Sequence, residues 1–169
     1  MLPYTLCLIK YGNNILLLNR NKAPNMGLWN GVGGKIEKNE SPYDGVIREA
    51  YEETGILLED VKFSGKVVWK SNRGDSGMYV FMAELHSSAG MDAPRQVEEG
   101  ILAWKEIDWI LEPDNKGVVG NMKYYLPKIL SGHQDLEHRF HYENGEMINY
   151  ETAKLEVDIR EKGCLANKV

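Results

Sequence analysis

Cysteine is scarce in this chain: Cys7 and Cys164 stand at opposite ends, and neither has a chelating neighbour. That excludes a disulfide framework and a cysteine-based metal cluster. Cys7 lies in an apolar run and reads as a small buried hydrophobe rather than a nucleophile. Long hydrophobic runs are also missing. The N-terminal MLPYTLCLIKYGNN lacks a basic leader, contains Pro3 and turns polar at Lys10, so it reads as a strand and not as a signal peptide or membrane span. A cytoplasmic protein with no membrane partner is expected. Positive charge is in deficit, with 20 Lys and Arg against 25 Asp and Glu and a net charge of −5. That balance argues against a general grip on a nucleic-acid polymer, which needs a basic surface. It leaves room for a small phosphorylated substrate whose charge a metal ion offsets. Histidine chemistry is absent as well. His86 and His133 have no neighbouring ligands, while His138 and His141 are an odd number of residues apart in an expected strand and so face opposite sides. No Ser-His-Asp arrangement, P-loop or Rossmann fingerprint is present.

A length of 169 residues fits one compact domain, 1–169, with no linker, internal repeat or low-complexity segment. Tyr4–Tyr11 and Asn14–Asn19 are apolar, β-rich runs around Gly12-Asn13, a hairpin signal. A polar stretch from Arg20 to Leu28 reads as a loop and leads into Trp29-Asn30-Gly31-Val32-Gly33-Gly34. Ser41-Pro42 then opens a helix, with serine as N-cap, proline at the first helical position and Asp44 where a capping-box acid belongs. Tyr43, Val46, Ile47, Ala50, Tyr51 and Thr54 form one expected buried stripe, and Gly55 ends the helix. Strands are expected near Lys62–Lys70, Met78–Leu85 and Ile101–Trp104, and a helix from about Met122 to Leu130 despite Pro127. Arg139–Tyr142 and Met147–Tyr150 flank Asn144-Gly145, a second hairpin signal. Leu155, Val157 and Ile159 alternate with charged residues as a last strand before a frayed tail at about 160–169. The expected class is α/β, a mixed sheet with two helices.

The other face of the first helix carries Gly45, Arg48, Glu49, Glu52 and Glu53. Three carboxylates thus converge at a helix C-terminus, where the backbone's partial negative charge favours cations, at a cost of about 0.3–1 kcal/mol each. Taken alone, the cluster reads equally well as a solvated acidic face with Arg48–Glu52 as an ion pair or as a metal site. Two features tip the balance. The opposite stripe is apolar, so the helix is docked, and a glycine-rich loop precedes it at short range. A hard cation takes carboxylate and carbonyl oxygens of this kind.

Gly34, Glu40, Arg48-Glu49, Glu52-Glu53, Gly55 and Ile56 stand at fixed spacing. They resemble the Nudix box, G-x5-E-x7-R-E-U-x-E-E-x-G-U with U a bulky aliphatic; Ala50 is smaller than usual at the first U. Looser similarity to the MutT-type branch, and to its oxidised-purine nucleoside triphosphate diphosphatases, extends over YTLCLI, LWNGVGGK, Glu98–Trp104, YYLPKIL and HRFHYENGEMINY. The resemblance implies a Nudix fold, with a mixed sheet sandwiched between helices. It also implies a metal site of Glu49, Glu52, Glu53, Glu99 and the Gly33 carbonyl holding Mg²⁺, with Mn²⁺ as the alternative. The proton-accepting glutamate would be Glu53 first and Glu99 second; Glu99 also reads as an exposed turn residue. Glu40 and Arg48 would orient the loop and helix. Arg20 would neutralise phosphate and Asn30 would read a purine, although these two also read as a solvated strand end and a loop cap.

The implied reaction is metal-assisted attack of water on a nucleoside diphosphate-linked substrate, an oxidised purine triphosphate such as 8-oxo-dGTP giving the monophosphate and pyrophosphate. Relatives with that preference carry acidic residues just before the YYLP segment. Here the stretch reads Gly117–Lys123 without one, and Asn121 is the residue left to read a base edge. ADP-ribose, dinucleoside polyphosphates and RNA 5′ ends remain as other Nudix substrates, and a non-catalytic nucleotide sensor is the alternative of a different class. The sequence admits a monomer or a homodimer.

Overall fold

The computed structural model describes residues 1–87, 92–156 and 165. The strands are β1 (Tyr4–Tyr11), β2 (Asn14–Arg20), β3 (Trp29–Asn30), β4 (Lys62–Ser71), β5 (Ser76–Leu85), β6 (Arg95–Val97), β7 (Gly100–Glu106), β8 (Leu136–Glu143) and β9 (Glu146–Lys154). The helices are α1 (Pro42–Thr54), α2 (Ile107–Leu111) and α3 (Met122–Leu130). All these strands join one mixed sheet in the order β6-β7-β2-β1-β5-β4-β8-β9, with β3 beside β2. β1 runs parallel to β5 and β4 parallel to β8; the other pairings are antiparallel.

The middles of β1, β2 and β5 are near-continuous apolar runs because both faces of the sheet are covered there. Leu6, Leu8, Ile15, Leu17 and Val80 point into the core under α2 and α3, with Ile110, Met122, Tyr125, Leu126 and Phe140. Cys7, Ile9, Leu16, Leu18 and Phe81 alternate with them and meet Tyr43, Val46 and Ala50 of α1 on the other face. The sheet is thus sandwiched between helices, as expected for α/β. The chain has three helices among the described residues rather than two. α2 spans one turn and a half, too short for an apolar period to register in the sequence.

Both hairpins form where their turn residues put them, with Gly12 at φ 55° and Asn144-Gly145 at φ 52° and 88°. β3 and β6 are too short for a sequence pattern and exist by pairing with β2 and β7. Pro127 sits inside α3, which nonetheless runs on to Leu130. β9 ends at Lys154; Leu155 follows it outside any strand, while Val157 and Ile159 fall outside the described residues, as does Cys164. Of the expected tail only Leu165 is described, and it is buried in the α1-side core.

α1 departs from expectation at one position. Tyr43, Val46, Ala50 and Thr54 are buried, but Tyr51 is 56% exposed. The contact stripe is narrower than the apolar one and continues through Glu53, which is only 7% exposed. A carboxylate, not the aromatic ring, is turned toward the protein.

His138 is fully buried under α3, its Nδ1 2.9 Å from the Tyr150 hydroxyl and its ring stacked on Tyr150. Burial, helped by the Lys128 charge, lowers its pKa from 6.5 to about 4. A base whose folded pKa is depressed binds fewer protons folded than unfolded, so its contribution to stability is lost as pH falls from 6.5 toward 4. Over that window wild type is expected to lose about 2–3 kcal/mol more than His138→Gln, as measured by urea unfolding at stepped pH. Parallel stability–pH curves for the two proteins would show that His138 does not carry this linkage.

Candidate functional site

The site is assembled where the glycine loop lies on β1. Thr5 N–H donates to the Gly34 carbonyl at 2.9 Å and Cys7 N–H to the Val32 carbonyl at 2.7 Å. At this separation there is no space for a side chain. A Cβ on Gly33, whose φ is 147°, would collide with the Thr5 carbonyl and approach the Leu6 Cα to 2.9 Å. A Cβ on Gly34 would occupy the place of the Glu49 carboxylate, 2.5 Å from its Oε2. The glycines therefore let backbone and carboxylates come together. Gly33 N–H donates to Glu53 Oε2 at 2.8 Å and fastens the loop to the helix.

α1 delivers the glutamates in a fixed orientation. The Ser41 hydroxyl accepts from Asp44 N–H at 3.1 Å and donates to the Asp44 carboxylate at 2.6 Å; the acid thus takes the capping hydroxyl rather than the N-cap amide. Gly55, at φ 73°, closes the C-terminus by donating to the Tyr51 carbonyl at 2.7 Å. The last turn has no basic residue of its own. Arg95 on β6 supplies one from outside, its Nη2 donating to the Thr54 carbonyl.

Arg48 ties the carboxylates to the loop. Its Nε and Nη2 donate to the two oxygens of Glu40 at 2.8 and 2.9 Å, Nη1 to Glu49 at 2.9 Å and Glu52 at 3.1 Å, and Nη2 also to the Lys35 carbonyl at 3.1 Å. The Arg48 fork holds the Glu40 carboxyl below its ordinary range, and the same partners raise the Arg48 pKa. Glu49 is raised by burial, with Arg48 opposing and the charges of Glu52 and Glu99 adding. Glu53 is pushed up to about 8, chiefly by burial and then by Glu99 and Glu49, against the Gly33 N–H. Arg48 donates to Glu40, Glu49 and Glu52 but not to Glu53.

Glu49, Glu52, Glu53, Glu98 and Glu99 line an acidic cleft of about 390 Å³, the last two from the β6–β7 turn. Its oxygen donors suit a hard divalent ion, and burial, with the neighbouring Glu99 and Glu49 charges adding, disfavours the ionised form of Glu53 until charge compensation is supplied. As the side chains stand, no three His, Cys, Asp or Glu among the described residues converge on one point. Arg48 takes one oxygen of Glu49 and one of Glu52, so each carboxylate keeps a second oxygen for an ion.

The acidic cleft continues into a second space of about 450 Å³, which shares Glu49 and Glu99 with it and adds Arg20, Asn30, Gly33, Gly34, Lys35 and Thr5. The Arg20 Nε is buried and has no hydrogen-bond partner. A third space of about 610 Å³ shares Asn30, Trp69 and Met78 with the second and ends at Asn121, Tyr142 and Met147. Asn30 is aligned with this end because Trp29 N–H donates to Gly117 and Val119 N–H to Trp29, at 2.8 and 3.0 Å. The Lys105 ammonium, 4.4 Å from the Trp29 ring and 4.8 Å from Trp109, steadies that strand. Asn30 Oδ1 accepts from Gly31 N–H at 2.9 Å, so its Nδ2 donors are what remain for a ligand. Asn121 is the N-cap of α3 but makes no side-chain cap bond.

Each residue expected to hold metal, take the proton or bind substrate therefore lines one of these three adjoining spaces, while Glu40 and Arg48 lie outside them. Trp69, Met78, Tyr142 and Met147 were not singled out, because each sits in an ordinary strand pattern; the Asn144-Gly145 turn and the resemblance over HRFHYENGEMINY pointed to the hairpin as a whole. His138 and His141, on opposite sides of β8, do not line these three spaces.

The family model described as NUDIX domain matches residues 1–126. The chain is 32% identical over 109 residues to the uncharacterized Nudix hydrolase YvcI of Bacillus subtilis, covering 62% of this chain and 65% of that one. It is 28% identical over 134 residues to the oxidized purine nucleoside triphosphate hydrolase of Mus musculus, covering 75% of this chain and 78% of that one. The crystal structure of the mutator MutT protein from Bacillus halodurans superposes with a TM-score of 0.74 at 28% identity, covering 90% of this chain and 97% of that one. The likeness in sequence and in fold leads to one conclusion: the chain belongs to the Nudix family and is a pyrophosphohydrolase, of a kind that generally uses divalent metal ions and acts on small nucleotides.

Proposed function

We propose that the chain hydrolyses a purine nucleoside triphosphate, with an oxidised purine such as 8-oxo-dGTP as first candidate, to the monophosphate and pyrophosphate. The observation that carries this reading is the unbroken cleft from the carboxylates, past Arg20, to Asn30 and Asn121. It has an acidic end for a metal and its phosphates, a cation midway and a neutral, amide-bearing end for a base. The similarity to the mouse oxidized purine nucleoside triphosphate hydrolase supports the same substrate class.

Glu49, Glu52, Glu53, Glu99 and the Gly33 carbonyl would hold the ion. A divalent cation bound there supplies charge for the phosphate oxygens and lowers the pKa of water. Glu53, anchored by Gly33 N–H, is the first choice to take the proton from the attacking water, and Glu99 opposite it the second. The Arg20 guanidinium, with Nε unpartnered, is free to bond phosphate oxygens. Asn30 offers the base its Nδ2 donors and so reads an acceptor atom; Asn121 offers a whole amide.

Mg²⁺ is expected to raise the thermal midpoint, by the equivalent of about 2.7 kcal/mol at ~100 times its dissociation constant. Glu52→Gln should lose most of that shift and keep the fold, because Glu52 is more than half exposed. An undiminished shift in this variant, read by differential scanning fluorimetry, would remove Glu52 from the metal site.

Base reading is tested with Asn30→Asp, which keeps an acceptor for Gly31 N–H and loses the donors. On purine triphosphates kcat/KM should fall by the equivalent of about 1–3 kcal/mol, and much less on pyrimidine ones. Equal losses on both would make Asn30 a loop-shaping residue only. In a panel whose products are resolved by chromatography, preference for ADP-ribose, a dinucleoside polyphosphate or an RNA 5′ end over every triphosphate would overturn the substrate, and no Mg²⁺-dependent turnover at all would favour a sensor.

A further inference from the structure

The β8–β9 hairpin lies beyond residues 1–126, the stretch matched by the family model. Yet Tyr142, Gly145 and Met147 of this hairpin line the same 610 Å³ space as Asn30, Trp69 and Asn121. Strand pairing and core packing fix its position. β8 pairs in parallel with β4, setting Phe140 beside Trp69, and Phe140 is fully buried in the core. The Tyr142 ring stacks on Phe140, with centroids 6.4 Å apart and planes inclined by 29°. Tyr142 and Met147 are cross-strand partners, immediately beside an irregularity that leaves Ile148 without an opposite number and 56% exposed. Bulges of this kind re-aim neighbouring side chains and gather beside active sites.

The chemistry of this end is specific. Its lining has no charged side chain: amides come from Asn25, Asn30 and Asn121, and flat or adaptable apolar surface from Trp69, Met78 and Met147. A phosphate or a carboxylate has no counter-charge there, whereas an uncharged planar ring with polar edges has both walls and hydrogen-bond partners. A methionine thioether makes favourable contact with an aromatic ring and adjusts to its outline.

We propose that the β8–β9 hairpin is a base-selecting wall, in which Met147 and the ring of Tyr142 contact the nucleobase and set which bases the cleft accepts. This rests on the reading that the chain cleaves nucleoside triphosphates and deepens it to a specificity-determining pair. The triphosphate chemistry, at the other end of the cleft, does not depend on the hairpin.

Two measurements test it. In a chain labelled with ¹³C at the methionine methyl groups, with Met78 and Met147 assigned through Met78→Leu and Met147→Leu, dGMP is titrated without metal. Both methyl resonances should move through the ring current of the bound base. Movement of Met78 alone would place the base in the cleft without touching the hairpin and overturn the proposal. No movement of either would overturn the proposal together with the base-pocket reading. In the second measurement Met147→Ala is assayed on dGTP and on deoxyribose 5′-triphosphate, which has no base. The expected result is a loss in kcat/KM of about tenfold or more on dGTP and less than about twofold on the base-free compound. Equal losses on both would make Met147 structural and overturn its selecting role. A wild type inactive on every triphosphate would instead overturn the substrate reading, while the titration still decides whether the hairpin touches a base.

Discussion

The guanidinium of Arg48 joins the two halves of the site. It grips Glu40 through both carboxylate oxygens and the Lys35 carbonyl on the loop side, and Glu49 and Glu52 on its own helix. Carboxylates gathered at a helix C-terminus repel one another and the helix dipole, at about 0.3–1 kcal/mol apiece. Exposed ion pairs would offset little of that. The Glu40 fork is of the stronger kind, because it is bidentate and its two side chains are 24% and 13% exposed. Arg48 thereby offsets the cost of the cluster and ties the loop that carries the glycines to the helix that carries the acids.

Glu53 is the acid outside this arrangement. Its helical position turns it inward, where Gly33 N–H is its backbone partner and burial, with the charges of Glu99 and Glu49 adding, pushes its carboxyl toward neutrality. The loop and helix are thus joined at two points, by the Arg48 fork and by the Gly33–Glu53 hydrogen bond.

The sheet decides how far the cleft extends. β3, only two residues long, is fixed between β2 and the 117–119 segment, which brings Asn30 into line with Asn121. The parallel pairing of β4 with β8 then carries the second hairpin round to the same opening. Acidic end, cation and neutral end come from stretches far apart in the chain, and outside α1 each stretch alone has an ordinary strand or loop pattern.

Much of the acidic end was legible in the chain. Serine, proline and glycine at the ends of α1, the apolar stripe and the spaced glutamates act through local geometry, which a helical period projects directly from sequence onto space. Both hairpins were legible for the same reason, because their turns need left-handed residues and Gly12 and Asn144-Gly145 supply them. The width of the buried stripe was not legible: Tyr51 was expected inside it, whereas Glu53 is the residue turned inward, where it accepts from Gly33 N–H of the glycine loop. Nor was the neutral end of the cleft. Trp69, Tyr142 and Met147 become neighbours only through pairing between β4, β8 and β9, and pairing partners distant in sequence leave no mark on the residues themselves. The sequence alone determined the α1 scaffold and its charge; tertiary structure decided which carboxylate is buried and what shares its cleft, because burial and long-range register are properties of the packed chain.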